Sequence, residues 1–155
     1  MEANKGTSKL WLLSTFGGDA RPLTEAGEKD GEPAWSPDGR HVAFVAKRGD
    51  DEEPQLWVIA PDGGEARRVT RMPTGVAGIK WFPDSRRVAF ISWVWPDALG
   101  YGALEARRKE AKDAKVRAHV VEHAAYRFWD KWLADGRVPR LFIADLDGER
   151  IVDLF

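Results

Sequence analysis

Two histidines and a glutamate in the last third of the chain have the spacing His-x-x-Glu-His, at His119, Glu122 and His123. On a helix, histidines four residues apart can hold one zinc ion, and the glutamate can activate a bound water for peptide hydrolysis. The intervening valines are weak helix formers, and only Glu149 follows as the further glutamate that such a site needs. We therefore predict no metal site, and zinc metallopeptidase activity through these three residues stays a remote alternative.

Other signatures of catalysis or cofactor binding are absent from the sequence. It contains no Gly-x-Ser-x-Gly nucleophile elbow, no phosphate-binding Walker loop and no Gly-x-Gly-x-x-Gly turn for a dinucleotide. Asp145 and Asp147 lack the spacing of a calcium loop, and a hairpin turn explains them better. We predict that the chain has no catalytic residue, no bound cofactor and no metal ligand.

The composition argues against several classes of partner. The 24 basic and 25 acidic residues give a net charge of -1, so no electrostatic footprint for nucleic acid or for an anionic membrane exists. Disulfides and thiolate metal sites are excluded because the chain has no cysteine. Its start lacks the apolar run of a signal peptide, and no stretch reaches the roughly 20 apolar residues of a membrane span. We expect a cytoplasmic protein without a nucleic-acid or membrane partner.

An internal repeat organises most of the chain. The pattern W-x-P-D-x-R-x-V-A-F begins at Trp35 and again at Trp81, 46 residues later and without a gap. A second pattern, "LWLLSTFGGDARPLT" from Leu10 and "LWVIAPDGGEARRVT" from Leu56, has the same offset of 46. It returns as "LFIADLDGERIVDL" from Leu141, 85 residues after Leu56, so about 39 residues are inserted in the last repeat.

Each repeat has the features of four short strands. The turn Ser36-Pro37-Asp38-Gly39 joins the first two, and Asp-Gly turns at Asp62 and Asp147 join the last two. The second strand, "HVAFVA" or "RVAFIS", is apolar at nearly every position, which predicts burial on both faces. The fourth strand, "ARPLT" or "ARRVT", contains arginine and proline, which are typical of a sheet edge.

Four antiparallel strands with a buried inner strand, an outer edge and a period near 46 describe a β-propeller blade. We predict an all-β fold, a partial β-propeller of about two and a half four-stranded antiparallel blades. Residues 1–25 form a half blade, 26–71 a blade, and 72–155 a blade with a helical, Trp-flanked insertion at about 93–138. In this interpretation Trp35 and Trp81 are equivalent packing residues.

The insertion differs in composition from the blades. Its middle is rich in Ala, Glu, Lys and Arg, which predicts a solvated helix of mixed charge. Four tryptophans flank that helix, at Trp93, Trp95, Trp129 and Trp132. These aromatic residues either cap the sheet or line a pocket, and they are the candidate interface or substrate-side residues of the chain.

The repeat sequences resemble the propeller repeats of the prolyl oligopeptidase family of serine peptidases, especially its acylaminoacyl-peptidase and dipeptidyl-peptidase branch. The similar segments are 10–24, 32–48 and 56–70, together with "YRFWDKWLADGRVPRLFIADL" at 126–146. The resemblance implies a propeller that covers an α/β-hydrolase domain of the same polypeptide and limits which peptides reach its Ser, Asp and His. This chain lacks that domain and would be the non-catalytic part of a serine peptidase. The blade motifs also resemble TolB-like propellers, so a stand-alone protein-interaction module is the alternative.

Two departures from a regular closed propeller are visible in the sequence. Ser85 stands where the other repeat has Gly39, and a left-handed serine costs on the order of 1 kcal/mol, so we expect that turn to differ. The first recognisable strands are the third and fourth of a blade, and the apolar "VAFIS" strand of the last blade belongs to a face that a neighbouring blade would normally cover. We expect these uncovered faces to drive self-association, with blades of different copies stacked face to face or half blades paired, and with the helical insertion outside.

Overall fold

The computed structural model describes residues 6–25, 27, 29–114, 136–148 and 150–154. Within them lie ten strands and one helix: β1 (Trp11–Leu12), β2 (Arg21–Pro22), β3 (Gly31–Trp35), β4 (Val42–Ala46), β5 (Gln55–Ile59), β6 (Arg67–Arg68), β7 (Ala77–Trp81), β8 (Arg87–Val94), α1 (Tyr101–Asp113), β9 (Val138–Asp145) and β10 (Ile151–Asp153).

The strands form one antiparallel pair and two four-stranded antiparallel sheets. β1 pairs with β2, β3 to β6 form the first complete sheet in chain order, and β7 to β10 form the second. The predicted units of four strands are therefore confirmed, and β6 lies at a sheet edge as its arginine pattern indicated. β10 lies at the edge of the second sheet.

The register of strand pairing repeats with the sequence. Phe44 faces Trp57 across β4 and β5, and the equivalent residues Phe90 and Phe142 face each other across β8 and β9. The first strand of each sheet also carries an irregularity in its pairing at the same place, before Ala34 and before Lys80. Equivalent positions in the sequence are thus equivalent positions in the sheets.

The two inner strands are buried differently. All five residues of β4 are buried, as the apolar pattern predicted, whereas β8 alternates between buried and exposed residues. Ile91 and Trp93 on β8 remain 37% and 51% exposed. The expectation of burial on both faces is wrong for β8, because no described segment packs on its second face.

Two hydrophobic cores form the seams between neighbouring units. The first seam joins the half blade to the first blade and is small, with Leu10, Leu23, Val42, Phe44, Ala46 and Ile59 buried in it. The second seam joins the two complete blades and contains thirteen buried residues. At its centre the rings of Phe90 and Phe142 stack, with centroids 5.5 Å apart and planes at 16°.

Helix α1 belongs to the β8–β9 connection and is largely exposed, as its composition indicated. One apolar side chain, Leu104, is nevertheless buried in the second seam. Two basic residues extend from the helix to Glu52 of the first blade: Arg108 forms an ion pair with it, and Lys112 Nζ lies 3.2 Å from Glu52 Oε1. The helix therefore connects the two complete blades.

Candidate functional site

The candidate aromatic residues that the structure describes lie on two different surfaces. Trp93 pairs with Pro139 in β9 and is half exposed on the uncovered side of β8. Trp95 packs against the second seam, and the Arg137 guanidinium lies 5.6 Å from its ring centroid. Trp129 and Trp132 lie outside the described residues. The sequence grouped these tryptophans, but Trp93 and Trp95 do not share one pocket.

The histidine motif cannot be placed, because His119, Glu122 and His123 lie outside the described residues. In the described part of the chain, no three His, Cys, Asp or Glu side chains come close enough to hold a metal ion. The absence of a metal site at the motif itself stays a prediction.

Among the described residues, nothing packs on one side of the second complete blade, and we call this apolar surface the open face. Strand register places Ala89, Ile91 and Trp93 of β8 on it, beside Leu141 and Ile143 of β9. Val152 of β10 faces Ile143 and extends the same surface. At the rim, Lys80 lies opposite Ala89 on the neighbouring strand, and Arg87 of β8 lies opposite Asp145 of β9 in the strand register.

The first blade has an equivalent surface that is covered. Four of its residues correspond by repeat position to open-face residues, and all four are buried in the second seam. The pairs are Ala43 and Ala89, Val45 and Ile91, Leu56 and Leu141, and Val58 and Ile143. The open face therefore has the side-chain pattern of a surface on which another sheet packs.

A cleft of about 1130 Å³ lies along the first seam. Leu23 and Trp57 supply part of its apolar lining, and Lys47, Arg48 and Glu65 contribute charges of both signs. The equivalent space in the second seam measures about 450 Å³ and is lined in part by Tyr101 of α1. The cleft along the first seam therefore has the larger volume of the two.

A buried ion pair closes one side of this cleft. Arg48 Nε lies 3.1 Å from Asp30 Oδ1, and the Asp30 side chain is fully inaccessible to solvent. The Arg48 guanidinium also lies 4.8 Å from the Phe44 ring and 5.4 Å from the Trp57 ring. Pairing, hydrogen bonding and ring contact together compensate for the removal of two charges from water.

Sequence reasoning missed this ion pair, although the repeat contained a signal. The positions 46 residues later are Val76 and Val94, which are both buried in the second seam. The two seams thus solve one packing problem with an ion pair in one case and with two valines in the other. The signal was that Asp30 and Arg48 are charged at positions where the next repeat has the apolar residues Val76 and Val94.

The acidic run at residues 50–53 is neutralised by neighbouring cations. Arg68 Nη1 lies 2.9 Å from Asp50 Oδ1 and forms a second ion pair with the buried Asp51. The hydrogen bond and the charge of Arg68 lower the pKa of the Asp50 carboxyl group. Glu52 pairs with the helix residue Arg108. These contacts give the run a structural role at the base of α1.

An aspartate fixes each turn that joins the first two strands of a complete blade. The Ser36 hydroxyl donates a 2.6 Å hydrogen bond to Asp38 and, with the Arg40 amide, lowers the pKa of that carboxyl group. Backbone donation from Arg86 and the Arg87 side chain lower the pKa of Asp84 in the equivalent turn. Both aspartates are therefore ionised acceptors that fix their turns at neutral pH.

Ser85 adopts the left-handed conformation that the repeat requires, with φ of 56° against 69° for Gly39. The expectation of a different turn is therefore wrong. Its hydroxyl accepts a 3.1 Å hydrogen bond from the Asp38 amide in the first blade. The left-handed backbone of Ser85 is strained, but its hydroxyl forms a hydrogen bond between the blades that glycine cannot form.

This geometry ranks two substitutions at the same position. Ser85→Ala keeps the left-handed strain and loses the hydrogen bond, so we expect the free energy of unfolding to fall by about 1 kcal/mol. Ser85→Gly loses the bond but removes the strain, so its loss should be smaller. Urea denaturation of both variants tests this order, and equal losses would contradict the role assigned to the left-handed conformation.

Other hydrogen bonds cross the seams at repeated positions. The Trp81 indole donates a 3.0 Å bond to the Ala34 carbonyl of the preceding blade. Arg67 Nη2 donates a 2.6 Å bond to the Leu146 carbonyl, and the equivalent Arg21 contacts Pro61 across the first seam. Trp35, the equivalent of Trp81, is 53% exposed, so the expected packing of both tryptophans is correct only for Trp81.

No protein-family model matches the sequence. A segment of 47 residues is 38% identical to the uncharacterized peptidase YuxL of Bacillus subtilis, which corresponds to 30% of this chain and 7% of that protein. The structure is similar to TolB of Agrobacterium tumefaciens, with a TM-score of 0.60, 23% identity, and coverage of 95% of this chain and 40% of that one. It is equally similar to the acylaminoacyl peptidase of Pyrococcus horikoshii, with a TM-score of 0.60, 20% identity, and coverage of 92% and 19%.

The chain is a partial β-propeller. Its two complete blades and half blade confirm the predicted fold class, and the resemblance to the acylaminoacyl-peptidase branch is confirmed at the level of fold. The matched parts correspond to 7% of YuxL, 40% of the Agrobacterium TolB chain and 19% of the Pyrococcus acylaminoacyl peptidase chain, so the propeller segment spans less than half of the length of these three proteins. Within the described part of the propeller, no helix is long and apolar enough to cross a membrane.

Proposed function

We propose that this propeller segment is the non-catalytic part of a prolyl-oligopeptidase-like serine peptidase and that it limits which peptides reach the hydrolase active site. The observation that carries the proposal is the 38% identity over 47 residues with a protein named as a peptidase. The repeat motifs and the fold shared with an acylaminoacyl peptidase support the same assignment.

The arrangement of the blades suits a selective barrier. A barrier must keep its shape while peptides pass, and the second seam combines a thirteen-residue core with side-chain hydrogen bonds from Trp81 and Arg67. Helix α1 extends the connection between β8 and β9 and contacts Glu52 in the corresponding connection of the first blade. Both connections lie at the same end of their sheets, so the insertion thickens that end of the barrier.

Two experiments test this proposal. The purified chain should not hydrolyse aminoacyl or peptide chromogenic substrates, and a fluorophosphonate probe for activated serines should not label it, because acyl transfer needs a nucleophile, a base and an oxyanion hole together. Labelling that disappears when one of the chain's own serines is replaced would contradict the non-catalytic assignment. In the source genome, coding DNA that continues after Phe155 into a Gly-x-Ser-x-Gly segment would support the peptidase assignment.

A stand-alone interaction module of the TolB type is the second candidate function. The structural similarity to TolB covers 95% of the chain and supports this candidate through the fold alone. A stop codon after Phe155, with no hydrolase segment encoded nearby, would favour this candidate over the peptidase.

A further inference from the structure

Two residues in the described part of the chain have a backbone conformation that normally requires glycine. Apart from glycines, only Glu32 and Ser85 have a positive φ there, at 50° and 56°. This left-handed conformation is unfavourable for a residue with a side chain, and a residue before proline, as Glu32 is before Pro33, usually adopts an extended conformation instead. Such strain persists only where surrounding contacts hold it, so both positions require a compensating contact.

The repeat shows where the two positions lie in a blade. Glu32 lies in the pairing irregularity of β3, and the equivalent residue of the second blade is Gly78, with φ of 61°. Ser85 lies in the turn after β7, and its equivalent in the first blade is Gly39. Each complete blade therefore has glycine at one of these two positions and a polar residue at the other.

Both polar side chains cross the second seam, and they cross it in opposite directions. The Gly78 amide of the second blade donates a 2.7 Å hydrogen bond to Glu32 Oε2 of the first blade. The Asp38 amide of the first blade donates a 3.1 Å bond to the Ser85 hydroxyl oxygen of the second blade. Each strained residue thus accepts a bond from the other blade that glycine at the same position could not accept.

These bonds lie along one edge of the two sheets. β3 and β7 are at the opposite sheet edge from β6 and β10, which is the inner edge of a propeller blade. The bond from the Trp81 indole to the Ala34 carbonyl lies between the other two in chain order. The three bonds join residues 46, 47 and 47 positions apart, so they connect near-equivalent positions along β3 and β7 and in the turns that follow.

We propose that Glu32 and Ser85 form a two-way clasp, in which each side chain holds the other blade and the two bonds open together. Glu32 ties β3 to β7, and Ser85 ties the turns that follow these strands. Because packed sheets move as rigid units, separation of their inner edges breaks both bonds at once. The clasp makes the inner edge of the second seam either closed or released, and it does not depend on the peptidase assignment.

Amide hydrogen exchange, measured by NMR under native conditions, tests the clasp. Glu32→Ala removes the acceptor of the Gly78 amide, so that amide should exchange about tenfold faster, because a hydrogen bond to a charged group is lost. The acceptor of the Asp38 amide is Ser85, which this variant retains. The Asp38 amide should nevertheless exchange several times faster, because the inner edge opens as one unit.

Three comparisons separate the clasp from a general loss of stability. Glu32→Gln keeps an acceptor oxygen and should leave the Asp38 amide close to its wild-type rate. Glu32→Gly removes both the acceptor and the strain, so the Gly78 and Asp38 amides should exchange as fast as in Glu32→Ala, while the urea midpoint falls less. The Gly63 amide, which donates to the Ala60 carbonyl in the turn between β5 and β6, should keep its rate in every variant.

Three outcomes would overturn the proposal. A faster Gly78 amide with an unchanged Asp38 amide in Glu32→Ala would show two independent bonds. Equal acceleration of the Gly63 amide would assign the effect to global unfolding, and an unchanged Gly78 amide would show that Glu32 is not its acceptor in solution. If circular dichroism shows that Glu32→Ala is misfolded, Ser85→Ala provides the reverse test, in which the Gly78 amide is the remote site that should exchange faster.

Discussion

Replacing Asp30 with valine should lower the free energy of unfolding by about 3 to 5 kcal/mol, because the Arg48 guanidinium would remain mostly buried without its counter-charge. The two charged groups are hydrogen bonded, and both are removed from solvent. Arg48→Val should be comparably destabilising, since it leaves the Asp30 carboxylate buried and unpaired and removes the contacts with the Phe44 and Trp57 rings.

The double variant Asp30→Val/Arg48→Val should recover most of that loss. The second blade already has Val76 and Val94 at these positions, so the blade fold accommodates two valines there. Chemical denaturation of the two single variants and the double variant gives the coupling between the residues directly. If the double variant loses as much as the two single variants together, the residues contribute independently and the comparison between seams is wrong.

An exposed ion pair provides the control for this cycle. Arg107 and Glu110 lie three residues apart on α1, 45% and 69% exposed, with Nη1 and Oε2 2.9 Å apart. Because water and salt screen such a pair, Glu110→Ala should leave the denaturation midpoint nearly unchanged. Comparing the stability loss of Asp30→Val with that of Glu110→Ala separates the effect of leaving a buried charge unpaired from the effect of removing a surface charge.

Phe90→Ala should be the most destabilising single substitution in the second seam, with a loss of about 3 to 5 kcal/mol. The Phe90 ring is fully buried and stacks on Phe142, so truncation both creates a cavity and removes a ring contact. The seam joins the two complete blades, so we expect the loss to appear in a single cooperative transition. Thermal and urea denaturation measure it.

The neighbouring residue on the same strand is the matched control. Ile91 points to the opposite side of β8 and is 37% exposed, so Ile91→Ala should have a much smaller effect on the stability of the monomer. Comparable losses for Phe90→Ala and Ile91→Ala, measured at a concentration where the chain is monomeric, would contradict the assignment of one buried and one open side to β8.

The repeat made most of the fold predictable from sequence. The offset of 46 residues identified Trp35 and Trp81 as equivalent repeat positions. The Asp-Gly turn at Asp147 located the last hairpin, and arginine in the fourth strand indicated a sheet edge. A local pattern specifies a strand and its turn, because turn residues and alternation act within a few positions.

Features that depend on a neighbouring element could not be predicted in this way. Trp35 and Trp81 have the same local sequence context, but the Trp81 indole donates a hydrogen bond to the Ala34 carbonyl of the preceding blade, whereas Trp35 is 53% exposed. The buried Leu104 lies in a strongly charged helix whose composition indicated solvent on all sides. The open face was predicted only in outline, since the apolar residues of β8 look the same whether or not a sheet covers them.

The unequal sizes of the two seams have a consequence for how the molecule opens. In a stacked repeat, each unit is stabilised mainly by its own strands and by its contact with the next unit. The half blade has two strands of two residues each and the smaller core, whereas the complete blades share the larger one. Local unfolding should therefore begin with detachment of the half blade, while the second seam persists. The detached state would uncover Val42 and Phe44 of β4, which makes the short β1–β2 pair a cover that protects a strongly apolar strand from aggregation.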